Sequence, residues 1–228
     1  MGITLSTRSI RTFVLRQGRL TEGQQRSLDL HWSKFGLDVG KSKFDLSSCF
    51  SRTAPVWMEI GFGNGEALAQ MAQAQPEINF LGVEVHLPGV GHALVEIVER
   101  ELTNVRLIRY DALELLEKYI EAASIDRLSL FFPDPWHKKR HHKRRIVNAE
   151  FLGHLYPLLA DDGILHMATD WHSYAHHMEQ ALSLCNGFRQ IVDEPQLSSI
   201  TASRPTTKFE QRGRRLGHEV FDLAYIKA

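Results

Sequence analysis

Residues 56–65 read Val56-Trp57-Met58-Glu59-Ile60-Gly61-Phe62-Gly63-Asn64-Gly65. A short apolar run ends in three glycines at alternate positions. Glu66 then opens a stretch of helix formers with apolar residues at Ala67, Leu68, Met71 and Ala72, a spacing that gathers them on one helical face. The unit reads as strand, tight glycine turn and helix. The same alternation continues outward from it. Strands are expected at residues 79–85, 105–108, 125–132 and 164–168, and helices at 92–102, 112–122, 146–159 and 171–185. Final strands are expected at 188–192 and 220–226. Strands alternating with helices through short turns predict an α/β fold, a mostly parallel, Rossmann-like sheet with helices on both faces. This domain spans residues 53–228. Residues 1–52 lack strong periodicity and read as a basic N-terminal extension with short elements.

In such a sheet ligands bind beyond the carboxyl ends of the strands. Acidic residues stand at five of those ends: Glu59, Glu84, Asp111, Asp134 and Asp170. One or two could be helix caps, but five together suggest a rim that receives a cation or hydroxyl groups. Gly61 and Gly63 let backbone approach a ligand closely. The dinucleotide fingerprint would need glycine where Glu66 stands, and Glu59 would repel a pyrophosphate. A sulfonium ligand without phosphates suits the place, and S-adenosylmethionine is one. Glu84 sits where an acid can accept ribose hydroxyls, and Asp111 could accept an adenine amino group. After the fourth strand, Phe131-Phe132-Pro133-Asp134-Pro135-Trp136 sets a carboxylate between two prolines, which restrict its backbone, beside a large aromatic.

The chain has 228 residues, with 27 Lys+Arg against 27 Asp+Glu. A formal charge of zero at first argues against nucleic acid. The charges are not mixed, however. Residues 1–20, 137–145 and 204–218 hold fifteen of the basic residues and one acid, Glu210. The remainder is strongly acidic. Six like charges in the nine residues His137-Lys138-Lys139-Arg140-His141-His142-Lys143-Arg144-Arg145 repel one another unless a polyanion neutralises them. Two cysteines, Cys49 and Cys185, without CxxC or Cys/His spacing argue against a disulfide scaffold or a metal site. No apolar run approaches a membrane span, and residues 1–20 lack the apolar core of a secretory signal. A cytoplasmic protein that contacts neither membrane nor DNA is expected.

Taken together, MEIGFGNGE (58–66), FLGVEVH (80–86), FFPDPWHKKRHHKRRIV (131–147), HMATDW (166–171) and RPTTKFEQRGRRLGH (204–218) resemble the bacterial tRNA (guanine-N7-)-methyltransferases. IRTFVLRQGRLTEGQQ (10–25) resembles that family's start. The resemblance implies a class I S-adenosylmethionine-dependent methyltransferase fold. It also implies methylation of guanine N7 in tRNA, at position 46 of the variable loop. By motif, Glu59, Gly61, Gly63, Glu84, Asp111 and Asp134 would bind S-adenosyl-L-methionine, and Asp134 would be catalytic. Lys138, Asp170, Thr207, Lys208, Phe209 and Glu210 would bind substrate. Arg140, His141, His142, Lys143, Arg144 and Arg145 would contact RNA. A methyltransferase for another RNA or a small molecule, a non-catalytic RNA binder and a nicotinamide oxidoreductase are the competing readings. The basic segments disfavour the small molecule, the intact acids the non-catalytic binder, and Glu59 with Glu66 the oxidoreductase. Monomer and homodimer both stay open.

Overall fold

Strand β1 (Val56–Ile60) lies inside a seven-stranded sheet whose order is β3-β2-β1-β4-β5-β7-β6. The others are β2 (Asn79–Val83), β3 (Val105–Ile108), β4 (Ile125–Phe131), β5 (Leu159–Thr169), β6 (Phe188–Gln190) and β7 (Phe221–Lys227). The first five run parallel, and β7 runs antiparallel between β5 and β6. The structure, a computed structural model, describes residues 11–13 and 18–228, without the side chains of Lys208, Phe209, Arg212 and Arg214. Arg8 and Arg16 of the first basic segment lie outside the described residues.

Helices α1 (Glu22–Phe35), α3 (Glu66–Ala74) and α4 (Leu87–Glu99) bury their apolar faces against one side of the sheet, through Phe35, Leu68, Met71, Leu94 and Ile97. On the other side lie α2 (Leu46–Phe50), α5 (Ala112–Lys118), α6 (Ala149–Leu155) and α7 (His172–Ser183), through Phe50, Leu115, Leu116, Phe151, Tyr174 and Met178. Burying one such side chain contributes about 1.5–3 kcal/mol, so both layers are strongly held. Two short helices, α8 (Glu194–Ala202) and α9 (Lys208–Arg215), precede β7. Ile191 and Ile200 pack with Ala224 and Ile226 in a small third cluster.

Several expectations on element boundaries need correction. The helix expected from 92 begins at Leu87, with Pro88 in its first turn. Gly89 and Gly91, costly in a helix interior, serve close approach here. A Cβ on Gly89 would lie 2.1 Å from the Gly63 carbonyl oxygen, and one on Gly91 would lie 2.9 Å from Gln24 of α1. The strand expected from 164 begins at Leu159 and carries Ala160-Asp161-Asp162-Gly163 through an irregularity, with Asp162 at φ +59° and a register shift opposite β4. Asp-Asp-Gly has turn chemistry, and a bulge uses the same chemistry inside a strand.

The extension contains a 14-residue helix, α1. It is capped by Thr21, whose Oγ1 accepts the Gln24 amide at 3.2 Å while Gln24 Oε1 accepts the Thr21 amide at 2.9 Å. Thr-x-x-Gln is a capping-box signature that weak periodicity concealed. Leu37 donates to the Leu107 carbonyl and Phe44 to that of Tyr119, which ties these residues of the expected extension to the end of β3 and the end of α5. Neither α8 nor α9 was expected, though Asp193-Glu194-Pro195 and Thr207-Lys208-Phe209-Glu210 are both helix starts: Asp193 caps Gln196 and Thr207 Oγ1 accepts the Glu210 amide at 3.1 Å.

Candidate active site

The carboxyl ends of β1, β2 and β4 open into a cavity of about 800 Å³, a size suited to a cofactor. Its floor is the glycine loop. Gly61, Gly63 and Gly65 take φ of +74°, +60° and +79°, which side-chain-bearing residues adopt only with strain. The Gly61 amide bonds the Val83 carbonyl, fixing the loop to β2. Four carboxyl groups line the cavity: Glu59, Glu66, Glu84 and Asp134. Among the described side chains, no lysine or arginine lines it. Its carboxyl-rich wall suits a ligand carrying positive charge.

Glu59 is the most unusual of the four. It is 4 % exposed, and its Oε2 has no hydrogen-bond partner. Burial, then the neighbouring Glu84 carboxylate, pushes its pKa up to about 8. Leaving a carboxyl unsatisfied in a folded interior is costly, and a cation in the cavity would relieve it. Both oxygens of Glu84, by comparison, accept backbone amides. Its Oε1 accepts the amides of Val85 (2.7 Å) and His86 (2.9 Å), and its Oε2 that of Gly63 (3.1 Å). It therefore locks the glycine loop to the end of β2.

The expected convergence of five acids is narrower than the sequence suggests. Asp111 caps α5, with Oδ1 accepting the Leu113 amide at 2.9 Å, and does not line the cavity, although its neighbours Tyr110 and Ala112 do. Asp170, at the end of β5, lies off the cavity wall and meets His218 Nδ1 at 3.1 Å. Trp171 beside it carries the ring of His137, with centroids 4.2 Å apart.

Asp134 is exposed on the cavity wall between two strained residues, Phe132 at φ +50° and Trp136 at φ +48°. Non-glycine residues there cost of order 1–3 kcal/mol each and persist only when their surroundings hold them. Those surroundings are arginines as well as the expected prolines. Arg145 Nε donates to the Pro135 carbonyl at 3.0 Å. Arg144 stacks on Trp136, 3.9 Å from its ring centroid, and donates to the carbonyls of Arg11 and Phe13. Trp136 Nε1 donates to the Thr12 carbonyl at 3.2 Å.

The basic run therefore divides. Lys138, Lys139, Arg140 and Lys143 are exposed, and residues 139–144 form a 3-10 turn that separates them. His141 and His142 are half-buried; His141 meets the Trp136 ring edge-on, and His142 Nε2 meets the Arg145 guanidinium at 3.3 Å. Arg145 corrects the expectation of an RNA contact. It is 3 % exposed, faces the Tyr174 ring, and also donates to Ser173. Burial holds its pKa below the usual arginine range.

Glu210 also corrects its expected substrate role. It is 1 % exposed, and its carboxylate pairs with Arg204. Thr207 lines the cavity, whereas the side chains of Lys208 and Phe209 lie outside the described residues. Sequence reasoning missed the partners of this pair. Arg204 Nε and Nη2 donate to the two oxygens of Asp222 at 3.0 and 2.8 Å. His166 Nε2 meets Asp222 at 2.9 Å, and its Nδ1 faces Arg127. Burial drops the pKa of His166 to about 4, so it is a neutral bridge. Their sequence signal was charge on strands: Arg127, His166 and Asp222 interrupt β4, β5 and β7.

Glu66, His92 and Glu96 bring ligand-type atoms within 4.8 Å of one another, but Glu96 is committed to Arg100 at 2.9 Å. No helix among the described residues is long and apolar enough to cross a membrane.

Residues 53–223 match the family model described as "Putative methyltransferase". The chain is 51 % identical over 218 residues to the tRNA (guanine-N(7)-)-methyltransferase of Pseudomonas aeruginosa (strain UCBPP-PA14), covering 96 % of this chain and 89 % of that one. It is 51 % identical over 220 residues to that of Sodalis glossinidius, covering 96 % and 92 %. Among solved structures, the 16S rRNA methyltransferase KamB aligns with a TM-score of 0.57 at 12 % identity, over 82 % of this chain and 94 % of that one. TrmN from Thermus thermophilus aligns at 0.54 and 16 % identity, over 90 % and 48 %. These likenesses carry the fold, a class I methyltransferase sheet.

Proposed function

The chain belongs to the tRNA (guanine-N7-)-methyltransferase family and methylates guanine N7 in tRNA, and we propose that it does so with S-adenosylmethionine at guanine 46 of the variable loop. The observation that carries the cofactor assignment is the cavity lined by four carboxyl groups, with the orphaned Glu59 Oε2 among them. When bound, S-adenosylmethionine supplies a methyl group activated by its sulfonium charge. Glu59 would hold the cationic part of the ligand, Gly61 and Gly63 would admit it to close range, and Glu84 would accept from its ribose hydroxyls. Asp111, assigned to the base by motif, caps α5 between the cavity-lining Tyr110 and Ala112.

Guanine N7 has an in-plane lone pair and no proton, so the chain needs no general base. Its task is alignment of the nucleophile and the methyl group. Asp134 orients the guanine by accepting its N1 and N2 hydrogens, and its charge stabilises the cationic product base. Thr207 lines the cavity, and Asp170, Lys208 and Phe209 join it as substrate-binding residues by motif. The nucleotide must open out of its tertiary contacts to reach Asp134, at a cost of about a few kcal/mol. Lys138, Lys139, Arg140 and Lys143, with His141 and His142 between them, face the RNA backbone. Arg144 joins them from its stack on Trp136. Residues 53–228 form the catalytic domain, and residues 1–52 are a basic extension attached to it.

The test is transfer of labelled methyl from S-adenosylmethionine to unmodified tRNA, followed by nucleoside analysis. 7-Methylguanosine is expected, and its loss when guanine 46 is replaced. Product that persists on the replaced tRNA refutes the position, and calorimetry that detects NAD but not S-adenosylmethionine refutes the cofactor.

A further inference from the structure

Arg204 does not line the cavity, yet it touches two of the pieces that do. Its side chain is 6 % exposed. The guanidinium lies over the rings of Phe131 and Phe132, 5.6 and 5.5 Å from their centroids, within cation–π range. Phe132 is the strained residue at φ +50° two positions before Asp134, and its amide is held by the Ala168 carbonyl at 2.8 Å. The same guanidinium pairs with Glu210 of α9, whose first turn is capped by the cavity-lining Thr207. Asp222 of β7 fixes the guanidinium from behind with two parallel bonds, a fork-to-fork geometry that lysine cannot reproduce.

The chain of contacts continues through His166 to Arg127, which donates to Ser203 Oγ and the Ile200 carbonyl and lies over Trp57. The two arginines differ in reach. Arg127 braces β4 against the end of α8, whereas Arg204 alone bridges the Phe132 turn and the α9 end.

We propose that Arg204 is a positioning residue for methyl transfer: by packing on Phe132 and pairing with Glu210 it holds the turn that aims Asp134 and the Thr207 end of α9 in one fixed relation. This rests on the reading of Asp134 as the guanine-orienting residue. A misplacement of about 1 Å in such a frame can cost about 10²-fold in rate. The assignment also gives Glu210 a role, an anchor that keeps α9 on the site through Arg204.

The experiment measures kcat and KM for unmodified tRNA and S-adenosylmethionine, with melting temperature, in Arg204→Lys, Arg127→Lys and Asp134→Asn full-length proteins. Arg204→Lys is expected to lower kcat by roughly 10- to 100-fold with KM for S-adenosylmethionine within about threefold. Arg127→Lys, in the same buried network, is expected to lower the melting temperature comparably while keeping kcat within about threefold. If kcat follows melting temperature equally in both, or if Arg204→Lys keeps its kcat, the positioning role is overturned. If Arg204→Lys does not fold, Glu210→Gln, which loosens only the α9 tie, carries the test: a kcat reduced at least about tenfold supports the role and an unchanged kcat overturns it. An unchanged kcat in Asp134→Asn refutes the reading of Asp134. A reduced kcat there with full activity in Arg204→Lys refutes only the present proposal.

Discussion

Glu59→Gln should make the protein more stable and a worse cofactor binder, and both effects follow from one buried carboxyl. The group's pKa rises from 4.5 to about 8 in the folded chain. Between those values the native state keeps a proton that the unfolded chain has released, so stability falls as pH rises from 4.5 to 8. At pH 7 the two states differ over about 2.5 pH units, which at 1.36 kcal/mol per unit is a cost of about 3 kcal/mol. Glutamine has the same shape and no proton to hold. Without cofactor, the variant should gain about 3 kcal/mol at pH 7, roughly 6–12 °C in melting temperature for a chain of this size, and the gain should shrink toward zero near pH 4.5. In the wild type the cation-binding form is the ionised carboxylate. Affinity for S-adenosylmethionine should then rise about 20-fold between pH 6 and 7.5, and the variant should bind weakly with a flat profile. Thermal scans from pH 4.5 to 8 and calorimetry at pH 6 and 7.5 measure both. A variant that melts below the wild type at pH 7, or a wild-type affinity that does not change over that range, would refute the reasoning.

Other consequences are equally open to measurement. Asp134→Asn should lower kcat on the order of 10²-fold at saturating tRNA with the melting temperature unchanged; full transfer would remove its orienting role. Replacing Lys138, Lys139, Arg140 and Lys143 by alanine should flatten the dependence of log affinity for tRNA on log salt by about 0.7–0.9 per lost phosphate contact. Arg145→Ala should leave that slope unchanged but destabilise the fold by about 2–4 kcal/mol, through unpaired carbonyls beneath the turn. Gly89→Ala should push the α4 start off the Gly63 carbonyl, which a Cβ would meet at 2.1 Å, and weaken cofactor binding at least about tenfold while secondary structure by circular dichroism stays the same.

How far the sequence could be read depended on whether a signal was local. The glycine loop was legible because alternate glycines after an apolar strand have few other uses, and Glu59 because a carboxylate there excludes phosphate. The acid between two prolines was legible for the same reason. Asp111 and Asp170 were harder, because a carboxylate at a strand end looks the same whether it caps a helix, as Asp111 does, or meets a histidine 48 residues away, as Asp170 does. The start of α4 was hidden because Gly89 and Gly91 report an approach of the glycine loop and α1 that no window of neighbouring residues contains.

By itself the sequence determined the alternation that makes a parallel sheet, the rim on which a ligand must sit, and the separation of acid from base along the chain. These depend on residue type and spacing, which local sterics and burial convert directly into structure. Only the tertiary structure decided what each charge does. Arg140 and Arg145 stand in one run of sequence, but the 3-10 turn puts the first in solvent and the second under Pro135 and Ser173. Arg204 stands in a basic segment and Glu210 in a substrate-binding motif, but with Asp222 of β7, 18 residues on from Arg204, they form a buried network. A charge takes its role from the dielectric and the partners around it, and both are set by which distant segments the fold brings together.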